Sequence, residues 1–384
     1  MSSGHRPILP AAGSDLGFIP GLAYFCLPNP NNPAGSKGVP SHQAGIGTEQ
    51  NSIESMARQI AYREALREAM VEEMRRDDRV FLMGEEVAEY NGAYKVSQGM
   101  LAEFGPRRVI DTPISELAFT AVGVGAAQNG LRPIIEYMTW NFANLALDQI
   151  LNTASKMLAM SGGQITCPIV FRGPNGSAGQ LGAQHSTAYE NLYANIPGLK
   201  VVSPSNGYDA KGLLKQSIRY EEDPVIFMES EVSYGDKSEV PEEEYYIELG
   251  KADVKRQGSD VTIVSFNKMM KVAIGAAAEL EKEEISAEVI DLRTVRPLDW
   301  MTILESVKKT NRLVIVEEQW PFGSVSSEIT YQIQKEGFDY LDAPIRRITA
   351  ADAPLHYAPN LVARALPDVP RTVKMVKEVM YLNK

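Results

Sequence analysis

Ile110-Asp-Thr-Pro-Ile-Ser-Glu-Leu-Ala-Phe-Thr-Ala-Val-Gly-Val-Gly125 reads as the end of one element and the start of another. Val109-Ile110 closes a short apolar strand, Pro113 stops it, Ser115 stands where an N-cap belongs, and Leu117 to Ala127 continues as a small-residue helix. Glu116 therefore falls in the first helical turn among mostly apolar neighbours. An acid there commonly does no more than complement the helix dipole. At the carboxyl end of a parallel strand it can also face a ligand.

Outward from this junction the same alternation recurs. Before it, Ala61, Tyr62, Ala65, Leu66, Ala69, Met70 and Met74 mark one face of a helix, and Val80 to Met83 reads as a buried strand ending in Gly84-Glu85-Glu86. After it come strands at Pro133–Glu136, Ile169–Arg172, Lys200–Val202 and Val225–Met228, with helices expected over about 141–160 and 207–220. Uniformly apolar strands alternating with amphipathic helices predict a parallel sheet covered on both faces. A polar, acidic stretch at 233–250 reads as a linker. Beyond it, strands at Val261–Ser265, Ala287–Asp291, Leu313–Glu317 and Ile345–Ile348, with helices between them, predict a second α/β set. The expected division is an extension over 1–55, a first α/β domain over 56–232, a linker over 233–250 and a second α/β domain over 251–384.

Residues 1–55 differ in character from the rest, with Pro28-Asn-Pro-Asn-Asn-Pro-Ala-Gly-Ser36 and many other Gly, Ser and Pro residues. They read as disordered or artificially appended, with Met56 as the natural start of the folded part. With Arg6 the only arginine before Arg58, this stretch is a poor mitochondrial leader.

Among 384 residues, 44% are hydrophobic, yet no apolar run reaches the roughly 20 residues that span a bilayer. A formal net charge of -11 argues against nucleic acid, whose phosphates demand a surplus of Lys and Arg. Cys26 and Cys167 are far apart, so neither a disulfide framework nor a zinc site is expected. No phosphate-binding Gly-x-x-x-x-Gly-Lys-Ser/Thr loop, dinucleotide Gly-x-Gly-x-x-Gly, His-Glu-x-x-His or Gly-x-Ser-x-Gly elbow occurs.

The residues to question are those just after the strands. They are Glu85 and Glu86, then Glu116, then Tyr137 to Phe142, then the loop Arg172-Gly-Pro-Asn-Gly-Ser-Ala-Gly-Gln-Leu-Gly-Ala-Gln-His-Ser186. Glycines at that density permit close backbone approach to a ligand, and the loop delivers His185. His356, in Ala-Pro-Leu-His-Tyr-Ala-Pro, reads as a surface or structural histidine.

Phe81-Leu-Met-Gly-Glu-Glu-Val-Ala-Glu-Tyr-Asn-Gly-Ala-Tyr-Lys-Val-Ser97 and Asp111-Thr-Pro-Ile-Ser-Glu116 resemble motifs of the pyruvate dehydrogenase beta-subunit family, part of the transketolase-like, thiamine-diphosphate-dependent 2-oxoacid dehydrogenases. Gly130-Leu-Arg-Pro-Ile-Ile-Glu-Tyr-Met-Thr139, Met160-Ser-Gly-Gly163, Phe171-Arg-Gly-Pro-Asn-Gly176, Ala183-Gln-His-Ser186, Pro197-Gly-Leu-Lys-Val-Val-Ser-Pro204 and Leu292-Arg-Thr-Val-Arg-Pro-Leu-Asp299 follow in the same order. The resemblance covers about 57–380. It implies an α/β fold of two parallel-sheet domains, a thiamine-diphosphate pyrimidine domain followed by a transketolase C-terminal-like domain.

The resemblance further implies a cofactor shared between two chains. An alpha subunit would hold the diphosphate through magnesium by a Gly-Asp-Gly motif that this chain lacks, while this chain would receive the pyrimidine ring. Glu116 resembles the catalytic carboxylate, Glu85 a second active-site carboxylate, and His185 a histidine on the thiazolium side. Ile114, Met138 and Phe142 correspond to the apolar wall of the pyrimidine. A potassium ion held by carbonyls near Ile169, Ser217, Ile218 and Asp223 is also implied, although Arg219-Tyr-Glu-Glu-Asp-Pro224 is one residue longer than the family turn.

The partners implied are an alpha subunit in an α2β2 heterotetramer and a dihydrolipoyl acetyltransferase core, with neither nucleic acid nor membrane. The reaction implied is oxidative decarboxylation of pyruvate with reductive acetylation of lipoyl groups, in the bacterial cytoplasm rather than a mitochondrial matrix. Branched-chain 2-oxoacid and acetoin dehydrogenase beta subunits share the scaffold and stay open as alternatives, as does a catalytically silent scaffold subunit.

Overall fold

Short apolar runs become parallel strands here because helices on both faces take up their side chains. The computed structural model describes residues 58–382, all within one compact unit. The expectations for 1–55, including Met56 as the start, lie outside the described residues, apart from the domain edge that follows them.

The strands, in chain order, are β1 (Arg58–Ala61), β2 (Val80–Gly84), β3 (Val109–Asp111), β4 (Arg132–Glu136), β5 (Val170–Pro174), β6 (Lys200–Val202), β7 (Val225–Glu229) and β8 (Lys237–Val240). There follow β9 (Asp253–Arg256), β10 (Val261–Ser265), β11 (Ala287–Asp291), β12 (Thr294–Arg296), β13 (Leu313–Val316) and β14 (Arg346–Ile348). A seven-stranded sheet has the order β12-β6-β7-β5-β4-β2-β3, and a five-stranded sheet the order β14-β13-β10-β11-β9. Within each the interior pairings are parallel, while β12 and β9 add antiparallel edges. Val80–Gly84, Arg132–Glu136, Val225–Glu229 and Val261–Ser265 are buried throughout, their apolar runs as expected and Arg132, Glu136 and Glu229 with them.

The helix Tyr62–Arg76 buries Tyr62, Ala65, Leu66, Ala69, Met70 and Met74, the face its spacing marked. It packs on the helix Gly207–Arg219, where the buried Lys211 and Lys215 both pair with Glu72. One apolar cluster runs from Ile226 and Met228 of the larger sheet to Val264, Ile290 and Ile315 of the smaller.

Three local departures have physical reasons. The stretch read as linker contains β8, which pairs antiparallel with β1, a long-range ribbon of four residues a side that leaves little periodic trace. The single helix expected over about 141–160 is divided into α, 3-10, π and α turns. The π turn Gln149–Ala154 keeps Ile150 and Ala154 buried, and Ser155 donates its hydroxyl to the Leu151 carbonyl. Thr294–Arg296 leaves the second set to pair with β6 of the larger sheet.

Candidate active site

The sheet order brings the carboxyl ends of β5, β4, β2 and β3 side by side, and the candidate residues leave those four ends. Glu85 follows β2 directly. Residue 84 is glycine for a steric reason, since a Cβ there would lie 2.6 Å from the Glu136 carbonyl oxygen of β4. The chain after Glu85 is held by Asp111 at the end of β3, whose carboxylate accepts the Ala88 amide at 2.7 Å and the Glu89 amide at 3.0 Å.

Glu116 is the first residue of the helix Glu116–Gln128 and is 4% exposed. Ser115 occupies the N-cap position without a side-chain capping bond. Among the described residues the Glu116 carboxyl forms no hydrogen bond or ion pair. Glu85 is 8% exposed, and its Oε1 is buried without a hydrogen-bond partner. Burial, with the negative charge of Glu116 adding to it, pushes the Glu85 carboxyl up to about 6. Two carboxyls from adjacent strand ends thus share one poorly solvated place.

Tyr137, Met138 and Phe142 follow β4. The Tyr137 hydroxyl shares a hydrogen bond of 2.6 Å with Thr120 on the helix that begins at Glu116. Phe142 sits in the short helix Trp140–Ala143, whose N-cap Thr139 accepts the Asn141 amide at 3.3 Å. Met138 and Phe142 are half-buried, whereas Ile114 is 87% exposed. His185 ends the 3-10 turn Ala183–His185, and its ring meets Phe142 edge-on, with centroids 5.2 Å apart and planes at 88°. The structure thus joins His185 to Phe142 and Glu85 to Glu116, and Ile114 presents its side chain to the open side.

Below these groups lies a buried ionic cluster that sequence reading did not assemble. Arg172 of β5 donates Nε to Glu229 at 2.5 Å, pairs with Glu136, and is itself 1% exposed. Tyr234 donates its hydroxyl to Glu229 at 2.7 Å. Burial, more than any neighbour, holds the Glu136 carboxyl above its ordinary range. The cluster ties the ends of β4, β5 and β7 and so fixes the platform from which the loops leave. Arg172 and Glu136 were visible at strand ends, but their partnership across 36 residues carries no local signal.

Three of the four carbonyls expected for potassium have other partners. Ile169 accepts the Val225 amide at 2.9 Å, and Ser217 accepts the Tyr220 amide at 3.3 Å. The Ile218 carbonyl accepts Arg132 Nε at 3.0 Å and Nη2 at 2.8 Å, and the Tyr220 carbonyl accepts Nη2 at 3.0 Å. The Asp223 carboxylate pairs with Lys200 at 2.7 Å. The buried guanidinium of Arg132 already brings positive charge to this turn. That neighbouring charge works against a potassium ion at the Ile218 carbonyl. Among the described residues no trio of His, Cys, Asp and Glu side chains converges as a metal site.

The two sheets, with the acidic pair at strand ends of the larger, belong to a chain of the transketolase class. Residues 58–237 match the family described as transketolase, pyrimidine binding domain, and residues 250–371 the transketolase C-terminal domain. Among solved structures, a split-gene transketolase described as an inactive beta4 tetramer superposes with a TM-score of 0.69 at 22% identity, covering 85% of this chain and 99% of that one. That likeness concerns the fold alone.

Curated relatives narrow the class. The pyruvate dehydrogenase E1 component subunit beta of Rhizobium meliloti is 58% identical over 89% of this chain and 73% of its own length. That of Rickettsia felis is 56% identical over 85% of this chain and 99% of its own length, and a mitochondrial form from Oryza sativa is 50% identical over 88% and 91%. The chain belongs to the pyruvate dehydrogenase E1 beta-subunit family, whose members depend on thiamine diphosphate and work in a complex with an alpha subunit.

Proposed function

We propose that this chain, assembled with an alpha subunit as an α2β2 heterotetramer, carries out the oxidative decarboxylation of pyruvate and the reductive acetylation of lipoyl groups on a dihydrolipoyl acetyltransferase core. The observation that carries this reading is the pair of buried carboxyls, Glu85 and Glu116, at adjacent strand ends. Glu116 makes no hydrogen bond within the described chain, and Glu85 has one oxygen without a partner. A buried oxygen such as that of Glu85 is costly unless a ligand completes it. The residues present fit a pyrimidine ring, with Glu116 as the hydrogen-bonding acid at a ring nitrogen and Ile114, Met138 and Phe142 as the apolar wall. Thiamine diphosphate, when bound, supplies the electron sink that cleavage next to a carbonyl requires.

The chain's own residues have distinct tasks. Glu116 holds or returns a proton at the pyrimidine nitrogen, from a carboxyl that no other group among the described residues hydrogen-bonds. Glu85 lies close enough to feel the Glu116 charge, which helps burial to hold its own carboxyl up at about 6. His185, oriented by the Phe142 ring, serves as an acid toward the acceptor side. Magnesium and the diphosphate are assigned to the alpha subunit. Ile114, Leu117 and Val122 leave exposed apolar surface beside Glu116, which supports closure of the site by another chain. The first α/β domain, 56–232, is read as the pyrimidine domain and 251–384 as the domain for dimerisation and core docking. The bacterial relatives support a cytoplasmic location.

Co-expression with an alpha subunit tests the reading. Thiamine diphosphate, magnesium and an artificial electron acceptor are supplied, and turnover is compared for pyruvate, branched-chain 2-oxoacids and acetoin. Preference for pyruvate is expected. Preference for either rival would move the assignment to that enzyme, and absence of turnover with all three would favour a scaffold subunit.

A further inference from the structure

The loop carrying His185 is closed at its base and clasped there by the smaller sheet. The Gly176 amide donates to the Thr187 carbonyl at 3.1 Å, so residues 176–187 leave and return at one point. Thr187 donates its amide to Asn141 Oδ1 at 3.3 Å, beside Phe142. Inside the loop, Ser186 donates its hydroxyl to the Gly182 carbonyl at 2.7 Å.

Lys268 and Glu318 seize the base from below. Lys268 follows β10 and Glu318 follows β13, and their side chains pair at 2.7 Å. Lys268 Nζ also donates to Ser177 Oγ at 2.9 Å and to the Ser177 carbonyl. Glu318 Oε1 accepts the Ser177 amide at 2.7 Å. Ser177 is thus held through its amide, carbonyl and hydroxyl by one ion pair, and Lys268 is 6% exposed. Gly176 makes the approach possible, since its φ is +75° and a Cβ there would collide with the Glu318 carboxylate. The cavity left between loop and clasp, lined by Ala183, Ser186, Thr187, Glu318, Gln319 and Trp320 among others, is only about 10 Å³.

The turn that presents Lys268 is itself fixed. Asn267 adopts φ 51°, donates its side-chain amide to Ser203 Oγ at 2.9 Å, and accepts the Lys268 amide at 2.7 Å. A buried ammonium with a full set of partners is kept in one geometry, because losing any partner leaves a charge unpaired in a poorly solvated place.

We propose that Lys268 and Glu318 are positioning residues, which hold the base of the 176–187 loop so that His185 stands against Phe142. The inference rests on the reading of His185 as an active-site residue, and the result that would overturn it does not depend on turnover. In the chain assembled with its alpha subunit, the rate at which diethyl pyrocarbonate modifies His185 is measured by peptide mass spectrometry, with His356 followed in parallel.

Lys268→Met is expected to raise the His185 rate at least fivefold and to lower kcat at least tenfold with the pyruvate KM within twofold. Lys268→Arg is expected to return both toward the parent. A His185 rate within twofold of the parent in Lys268→Met overturns the proposal, whatever happens to the melting temperature. If Lys268→Met does not fold, the near-isosteric Glu318→Gln carries the same readout, and parental His185 reactivity there also overturns it. Raised His185 reactivity with unchanged kcat supports the positioning of the loop and instead refutes the catalytic reading of His185.

Discussion

The rings of Phe142 and His185 meet at 88°, edge to face, with centroids 5.2 Å apart. The two residues leave different strands, β4 and β5, so the contact is where the pyrimidine wall and the glycine-rich loop agree on one geometry. Aromatic contacts of this kind contribute about 0.5–1.5 kcal/mol beyond area burial. Phe142→Ala is therefore expected to lower kcat by roughly twofold to tenfold through His185 alone, with a further rise in cofactor KM from loss of the wall. Steady-state kinetics at varied thiamine diphosphate separates the two effects, and unchanged kcat would show that His185 is oriented without the ring.

Glu85 gives the molecule a pH dependence whose sign is fixed by its surroundings. Burial and the Glu116 charge raise its carboxyl from 4.5 to about 6 in the folded chain. The folded state then binds the proton more tightly than the unfolded state, so this stability contribution is fully present below about pH 4.5 and lost as pH rises through about 6. The loss is roughly 2 kcal/mol at most. Glu85→Gln has no such titration, so its melting temperature relative to the parent is expected to rise between pH 5 and 8. A difference that is flat across that range would mean that Glu85 titrates as an exposed acid.

The strand ends carrying Glu85, Glu116 and His185 were legible because each is a local event, an apolar run closed by a helix start or a glycine. The adjacency of β2, β3, β4 and β5 was not read from the sequence, because strand order depends on how the crossovers wind. What stayed hidden is long-range. Ser177 meets Lys268 and Glu318 across 91 and 141 residues, and β1 finds β8 across the whole first sheet. Arg132 showed the same limit, since an arginine at the start of an apolar strand gave no hint of the carbonyls it would meet 86 residues on.

That arginine bears on the expected potassium ion in a measurable way. With the Ile218 carbonyl taken by two guanidinium nitrogens, replacing sodium by potassium at constant ionic strength is expected to leave the melting temperature unchanged. Arg132→Met removes donors from the buried Ile218 carbonyl and the part-buried Tyr220 carbonyl and is expected to cost on the order of 1–3 kcal/mol, mostly at the buried acceptor left unsatisfied. A potassium-specific rise in melting temperature of the parent chain would return the ion to this turn.

The cluster under the site makes a different claim. Arg172→Met leaves Glu136 and Glu229 buried without their cation, which is expected to cost on the order of 3–5 kcal/mol. The loss should show in chemical denaturation of the assembled protein. Adding Glu136→Gln and Glu229→Gln to that variant should recover much of it, because a neutral buried amide carries no uncompensated charge. Failure of the triple variant to recover would mean that Arg172 acts mainly through packing.

Glu116→Gln isolates chemistry from folding better than any other change here. The amide keeps the volume and the helix start, and the carboxyl it replaces makes no hydrogen bond among the described residues, so no internal partner is orphaned. Removing its charge also relieves Glu85, whose carboxyl is expected to titrate lower than about 6. Stability should consequently hold or rise slightly near neutral pH. Turnover should fall by about 10²–10⁴-fold, the usual worth of a positioned proton-transfer group. An inactive variant that melts at or above the parent temperature and still assembles with its alpha subunit is the expected result. Near-parental turnover would return Glu116 to the role of a helix-dipole acid, and the buried carboxyl pair would then need another explanation.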